Sequence, residues 1–377
     1  QLGLAKRKEG CALFDESLKK DANHIPAHWG LALCDVYSQK PDDARARLEQ
    51  ALKIDAKNTR TWTHLGDLER GADRLEAAAR AYSSALQHRP EHVDAILGRA
   101  AVRLQEKNWK EAEKDIDQAL LLAKGYPLAI YLRGALAYGQ GKYPEAKTLF
   151  ETALNANPNL SPALLWLGFA EYALQNFETS ATHLSQFLTR HPNATRVHAL
   201  LALVRARSGG TPETQKMLKT LQEAKLEDAK SLMLVGQAYY LLKEGDLAVQ
   251  QLERAVALEP DEPDSRLHLA LALVQKGRMA DAVEQLENTL RIKPDLRNAE
   301  EMLVQALIWD KRFDAALKAA DAFQAKYPDL PAPPTYRGSI LLMQDRKNLE
   351  LARREFQRAL KLDRGYVPAA HNLAMLA

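Results

Sequence analysis

Two pairs of histidines stand four residues apart, His24 with His28 and His88 with His92. That spacing can place two imidazoles on one helical face, which is the beginning of a zinc site. Pro26 and Pro90 interrupt the pairs where a helix starts or stops, so neither pair is expected to share a face, and no metal is expected. Ser208, Gly209 and Gly210 would suit a phosphate loop only in their glycines, because no lysine-serine or lysine-threonine pair follows to open a helix. Carboxylates are numerous, but Glu106, Glu111 and Glu113 fall at helix starts and outward faces, where solvation explains them. These residue types in these patterns support no catalysis and no cofactor. Binding is the function that remains.

Cys11 and Cys34 lie nearly equidistant from the turn around Ala22, on helices expected to run antiparallel. They could face each other at similar height, as a disulfide requires. The simpler expectation is two small buried thiols, since cysteine packs as an ordinary core residue. A disulfide here would argue for an oxidising compartment.

The elements that must position these side chains repeat. A small residue recurs at Ala32, Gly66, Ala100, Gly134, Gly168, Ala202, Gly236, Ala270 and Gly338, always in steps of 34 residues, with Val304 as the exception. A second small residue follows at Ala44, Ala78, Ala112, Ala146, Ser180, Thr214, Ala248, Ala282 and Ala316, and two residues late at Ala352. Four positions further on stands a bulky one, such as Tyr82, Ile116, Phe150, Leu184 or Leu252, and Ala320 breaks that run. A period of this length means a stack of small units. Each unit reads as two helices joined by a turn. In 127–160, apolar residues at helical spacing from Ile130 to Tyr138 stop at Gly139, Gly141 and Pro144, resume at Ala146, and end at Pro158. Small residues let two helix axes approach to roughly 8 Å, and the bulky residue fills the gap beside them.

Those positions carry a resemblance to the tetratricopeptide repeat over nearly the whole chain. The family pattern is almost complete in 59–92 as Trp62, Leu65, Gly66, Ala78, Tyr82, Ala85 and Pro90. The resemblance implies an all-α, right-handed superhelical solenoid of antiparallel helix pairs. The expected layout is a partial repeat over 1–24, ten repeats over 25–366, and the first helix of a truncated repeat over 367–377. Since solenoids usually finish in a polar cap, an end on Leu373, Ala374, Met375, Leu376 and Ala377 reads as a cut within a longer protein. Joints are expected to be weak where Ser208 to Gly210 would shorten a first helix. The same holds around the stiff turn from Pro328 to Pro334.

In this family the first helices line a groove, and the fifth, ninth and twelfth positions of a unit face it. Carried onto this chain, those positions place Trp29, Leu97, Tyr131, Tyr138, Phe169, Tyr172, Met233 and Tyr240 on the wall. The groove should therefore be apolar and aromatic, offering rigid area to a peptide or flat faces to sugar rings. The competing expectation is that these rings pack within their own unit. No lysine holds the fifth position and no asparagine the ninth, which excludes the co-chaperone grip on a C-terminal carboxylate. The sixth positions, among them Gly30, His64, Gly98, Leu132 and Trp166, lack the asparagine ladder of sugar-transferase solenoids.

A net charge of +3 from 52 basic and 49 acidic residues, with no basic cluster interleaved with aromatics, points away from nucleic acid. The run Lys6, Arg7, Lys8 reads as solvated. No apolar stretch is long enough to cross a bilayer, and the start has no secretory-signal pattern. Individual units, such as "ALLWLGFAEYALQNFETSATHLSQFL" at 163–188, resemble the large repeat lipoproteins found with the PEP-CTERM sorting system. That narrower resemblance implies a periplasmic, outer-membrane-associated scaffold, anchored by a lipid outside this chain. Its role would be in exopolysaccharide production and export or in surface-protein sorting, with protein, peptide or polysaccharide partners. A cytoplasmic peptide-binding adaptor is the alternative, and the recognition arm of an enzyme is a third.

Overall fold

The computed structural model describes residues 2–376, and every regular element among them is helical. A single helix, α1 (Leu2–Lys20), comes first. The chain divides into two compact units, 1–190 and 191–377. In the first unit, α1 is followed by α2 (Ile25–Tyr37) with α3 (Pro41–Ile54), α4 (Thr59–Gly71) with α5 (Leu75–His88), and α6 (Val93–Gln105) with α7 (Trp109–Leu122). Then come α8 (Pro127–Gly139) with α9 (Tyr143–Ala156) and α10 (Ser161–Ala173) with α11 (Phe177–Arg190). The second unit holds α12 (Thr195–Arg207) with α13 (Pro212–Glu223), α14 (Ala229–Leu241) with α15 (Gly245–Leu258), and α16 (Pro263–Gln275) with α17 (Met279–Ile292). It continues with α18 (Arg297–Trp309) and α19 (Phe313–Lys326), α20 (Ala332–Gln344) and α21 (Leu349–Leu362), and a last helix α22 (Val367–Ala374).

Within a pair, the bulky residue of the second helix lies on the small residue of the first. A Cβ added to Gly134 would stand 2.6 Å from the Phe150 ring, one on Gly66 2.6 Å from Tyr82, and one on Gly338 2.6 Å from Phe356. Tyr82 also presses on the next pair, where a Gly98 Cβ would fall 2.3 Å from its ring. The aromatic members of the bulky set, Tyr82, Phe150 and Phe356, all face glycine, whereas the aliphatic ones stand opposite alanine, as Leu48, Ile116, Leu218 and Leu286 do, or opposite glycine, as Leu184 does on Gly168 and Leu252 on Gly236. The two breaks in the pattern compensate each other, because Val304 and Ala320 occupy partner positions, both fully buried, with the volume moved to the first helix.

The turn inside each pair is equally periodic. Gln39, Asp73, Lys107, Gly141, Gln175, Gly209, Lys243, Gly277 and Lys311 all have positive φ, from 58° to 103°. The next N–H returns to the carbonyl five residues earlier, as in Lys40 to Asp35 at 2.9 Å and Arg278 to Leu273 at 2.9 Å. This is a left-handed helix ending that satisfies carbonyls the helix leaves open. In the α20–α21 pair the two extra residues are taken up by an extended Asp345 and a 3-10 turn over Arg346–Asn348.

Three expectations change. Ser208 to Gly210 do not shorten the first helix, since α12 keeps the common length of 13 residues; α13 is reduced to 12 residues and is started by a capping box between Thr211 and Thr214. Pro333 and Pro334 are not part of a turn but lie in the first turn of α20, where a missing N–H costs nothing. The two cysteines are not buried thiols: both are half-buried and bonded to each other, with Cα atoms 6.1 Å apart. The Lys6 side chain lies outside the described residues, and Arg7 sits over the Tyr37 ring at 4.5 Å.

Two measurements test this packing. Gly134→Ala should destabilise by about 1–3 kcal/mol by overpacking, and adding Phe150→Leu should return part of that loss, read as the coupling in a double-mutant cycle of urea melts. Gly277→Val, at φ +73°, should cost about 1–2 kcal/mol in the same assay.

Candidate binding groove

Within each unit the first helices of neighbouring pairs approach one another, as α4 does α6 and α6 does α8. The second helices show no comparable approach among the described residues. The first helices therefore form the inner wall of each stack, and their side chains decide what it can hold.

The ring Nε1 of Trp29 donates to Thr61 Oγ1 at 2.8 Å, and the indole meets His64 edge-on at 5.2 Å. Beside it, Leu33 is 53% exposed and Val36 is 44% exposed. With Leu68 they line an open cavity of about 750 Å³. Leu33 and Val36 occupy the ninth and twelfth positions of the Trp29 unit, so the periodicity held the signal for both residues, but they escaped the sequence reading. Leu97 is a correction. It is 1% exposed and belongs to the core beneath the wall, because α6 turns this position toward its neighbours.

Further along the first unit the named rings gather. Tyr131 tilts onto Phe150 at 5.9 Å, and Tyr138 meets Tyr143 at 5.2 Å and Trp166 at 5.0 Å, both edge-on. Phe169 lies 5.5 Å from Trp166, and Tyr172 lies 5.6 Å from Phe177. Trp166, at a sixth position, is the hub that the positional rule did not single out. Burial pushes the Tyr131 phenol up to about 12, and burial with the neighbouring hydroxyls of Tyr143 and Tyr172 raises Tyr138. These phenols stay neutral at physiological pH.

Charge is removed from this stretch by pairing. The one charged residue of α8, Arg133, bridges to Asp117. The one charged residue of α10, Glu171, is 1% exposed and is held by Lys147 at 2.9 Å and Asn176 at 2.7 Å. The Lys147–Glu171 bridge repeats, in the same register, the Arg45–Glu69 bridge at 2.6 Å. Asp115, 2% exposed, is clasped by Arg99 at 2.7 Å and Arg103 at 2.5 Å. Sequence reading assigned the carboxylates to solvent and missed these, since nothing in a lone glutamate's neighbours along the chain marks it as buried. Glu106 and Glu113 are exposed as expected.

In the second unit, Met233 and Tyr240 are half-buried against its core, with Lys243 Nζ 6.0 Å from the Tyr240 ring centre. Tyr336 Oη donates to Glu301 Oε1 at 2.7 Å and accepts from Gln305 Nε2 at 2.6 Å, so this wall is more polar. Three of the four paired histidines make structural hydrogen bonds. His24 Nδ1 bonds Ser17 Oγ at 2.7 Å, His28 Nε2 meets the Ala22 carbonyl at 3.0 Å, and His92 Nδ1 accepts from the Ala95 N–H at 3.2 Å to cap α6. No group of three metal-ligating side chains gathers among the described residues. Nor is any described helix long and apolar enough to cross a membrane.

Paired helices at a fixed period, small-on-large packing and a first-helix wall define a tetratricopeptide-repeat protein. More particularly, residues 12–307 match the family model of the Cilia and flagella-associated protein 70 C-terminal domain, and the chain belongs to that family. It is 21% identical over 280 residues to the BBSome complex member BBS4 of Bos taurus, covering 74% of this chain and 54% of that protein. It is 25% identical over 225 residues to the Cellulose synthase 1 operon protein C of Komagataeibacter xylinus, covering 55% of this chain and 17% of that protein. The chain thus spans about half or less of these curated relatives. Among solved structures, the human IFIT1 dimer has a TM-score of 0.55 at 17% identity, covering 89% of this chain and 84% of that one, a likeness of fold.

The buried bridges make a pH prediction. Burial alone would raise the Glu69 carboxyl, but hydrogen bonds from Arg45 and Arg74 outweigh it and hold its pKa below the ordinary glutamate range. A lowered folded-state pKa contributes stability that is present above the unfolded value and is lost as the pH falls through the folded one. Glu69→Gln should therefore lower the unfolding free energy read from urea melts at pH 7 by up to about 3 kcal/mol, and flatten its decline in acid relative to the parent.

Proposed function

We propose that this chain is a non-enzymatic binding scaffold whose ring-lined wall on α8 and α10 engages an uncharged ligand in the periplasm. The work it serves is exopolysaccharide production and export, or the handling of sorted surface proteins. The observation that carries this reading is the run Tyr131, Tyr138, Trp166, Phe169 and Tyr172, all half-buried, on two helices whose only charges are already paired. Neutral aromatic faces attract the CH faces of sugars and apolar side chains, and they offer nothing to an anion. A relative named for a cellulose synthase operon supports the glycan arm, as does the resemblance of individual units to the PEP-CTERM-associated lipoproteins. Tetratricopeptide repeats hold partners by shape and local contact. No bond needs to be made or broken. Membrane attachment in this reading comes only through a lipid anchor outside the chain.

A second reading, a cytoplasmic adaptor for a peptide, is favoured by the cavity at Trp29, Leu33 and Val36, whose apolar walls suit a buried side chain. Calorimetric titration separates the two. A neutral glucan should bind the parent, and Tyr138→Ala and Tyr172→Ala should each weaken it roughly tenfold, the cost of removing one aromatic anchor. Binding unchanged in both variants, or no binding by the parent, removes the glycan arm; an apolar peptide that binds while Leu33→Asp abolishes its binding supports the adaptor.

A further inference from the structure

Helix α1 meets α2 and the turn before it along one face. Arg7 covers Tyr37, Cys11 is bonded to Cys34, Phe14 rests on Gly30, and Ser17 bonds His24. Positions 7, 11, 14 and 17 are a single helical stripe. The opposite side is open, with Leu13 65% exposed, and even Phe14 is 37% exposed. One partly exposed ring buries little apolar area, and a helix docked so lightly is marginal by itself. Gly30 matters on both of its sides. It receives the Phe14 ring, where a Cβ would clash at 2.4 Å, and it forms part of the wall of the cavity lined by Trp29, Leu33 and Val36.

We propose that the Cys11–Cys34 bond is a redox staple that seats α1 on α2, with Phe14 held against Gly30, a residue that also lines that cavity, so that the seated form exists only in an oxidising compartment. A thiolate of one cysteine attacks the disulfide of an oxidant of the thiol–disulfide exchange class, giving a mixed disulfide. The second thiolate then displaces the oxidant, whose two sulfurs take up, through solvent, the two protons the cysteines gave up, so that it leaves as a dithiol. Reduction by a dithiol reverses each step. The bond crosses the two antiparallel helices within the span a disulfide allows, with Cα atoms 6.1 Å apart, and it closes a loop that includes the turn at Ala22. In a reducing compartment α1 is released and the Phe14 ring is bared. The inference extends the compartment named in the proposed function and is independent of any ligand on the α8 and α10 rings.

The test reads local structure, so its failure does not touch the groove. The whole chain is equilibrated in an oxidising glutathione buffer, then treated with N-ethylmaleimide before and after reduction under native conditions. No label before reduction and two labels after it are expected. Hydrogen exchange followed by mass spectrometry should rise at least tenfold in peptides within 7–37 on reduction, and equally in the Cys11→Ser/Cys34→Ser variant, while peptides within 93–190 stay unchanged. Free labelling in the oxidising buffer overturns the proposal, as does exchange in 7–37 that ignores reduction. Phe14→Ala guards against a packing explanation. If that variant loses protection while still oxidised, and reduction of the parent does not, the ring holds the helix and the staple is refuted.

Discussion

The structure depends on the distance at which two helices of a pair can cross. That distance is set by a glycine or alanine on one helix and the side chain laid across it from the other. Gly134 under Phe150 and Gly66 under Tyr82 leave no room for a methyl group. Because proteins pack their interiors to crystal density, the volume at a crossing can be traded between partners. Val304 and Ala320 show such a trade. The left-handed residue in the following turn then aims the second helix back at the first, at the same phase in nine pairs.

A stack built this way leaves each unit in contact mainly with its neighbours, so every pair must also solve the problem of its own charges. Carboxylates at the joints are placed where a cation from the adjacent helix reaches them, as with Glu69 and Arg45 or Glu171 and Lys147. Breaking such a pair is costly because the remaining charge stays out of water. The same arrangement frees the inner wall of α8 and α10 from charge. The chemistry of the wall, aromatic and neutral, is thus a by-product of how the joints are held together.

Much of this was legible along the chain. The period, the helix pairing and the small and bulky phases follow from residue sizes at fixed intervals, and the aromatic content of the wall follows from family positions applied to Tyr131, Tyr138, Phe169 and Tyr172. Leu97 shows where positional reasoning ends. It occupies the same fifth position as Tyr131 and Leu165, which are half-buried, yet it is 1% exposed, because burial here depends on what packs against each helix. Ser208 to Gly210 likewise looked like a broken first helix, and the structure moved the cost to the second helix.

Residue type and spacing alone determined that the chain folds as repeated helix pairs, because a stripe of apolar residues every 34 positions can be buried only against its own copies. Tertiary structure decided what no local pattern encodes: that Cys11 meets Cys34, that Trp166 is the hub of the rings, and that Glu69, Asp115 and Glu171 are buried and paired. Those outcomes depend on which helix faces which and at what height. Side chains that meet across a helix crossing are brought together by packing geometry, which one-dimensional order only constrains.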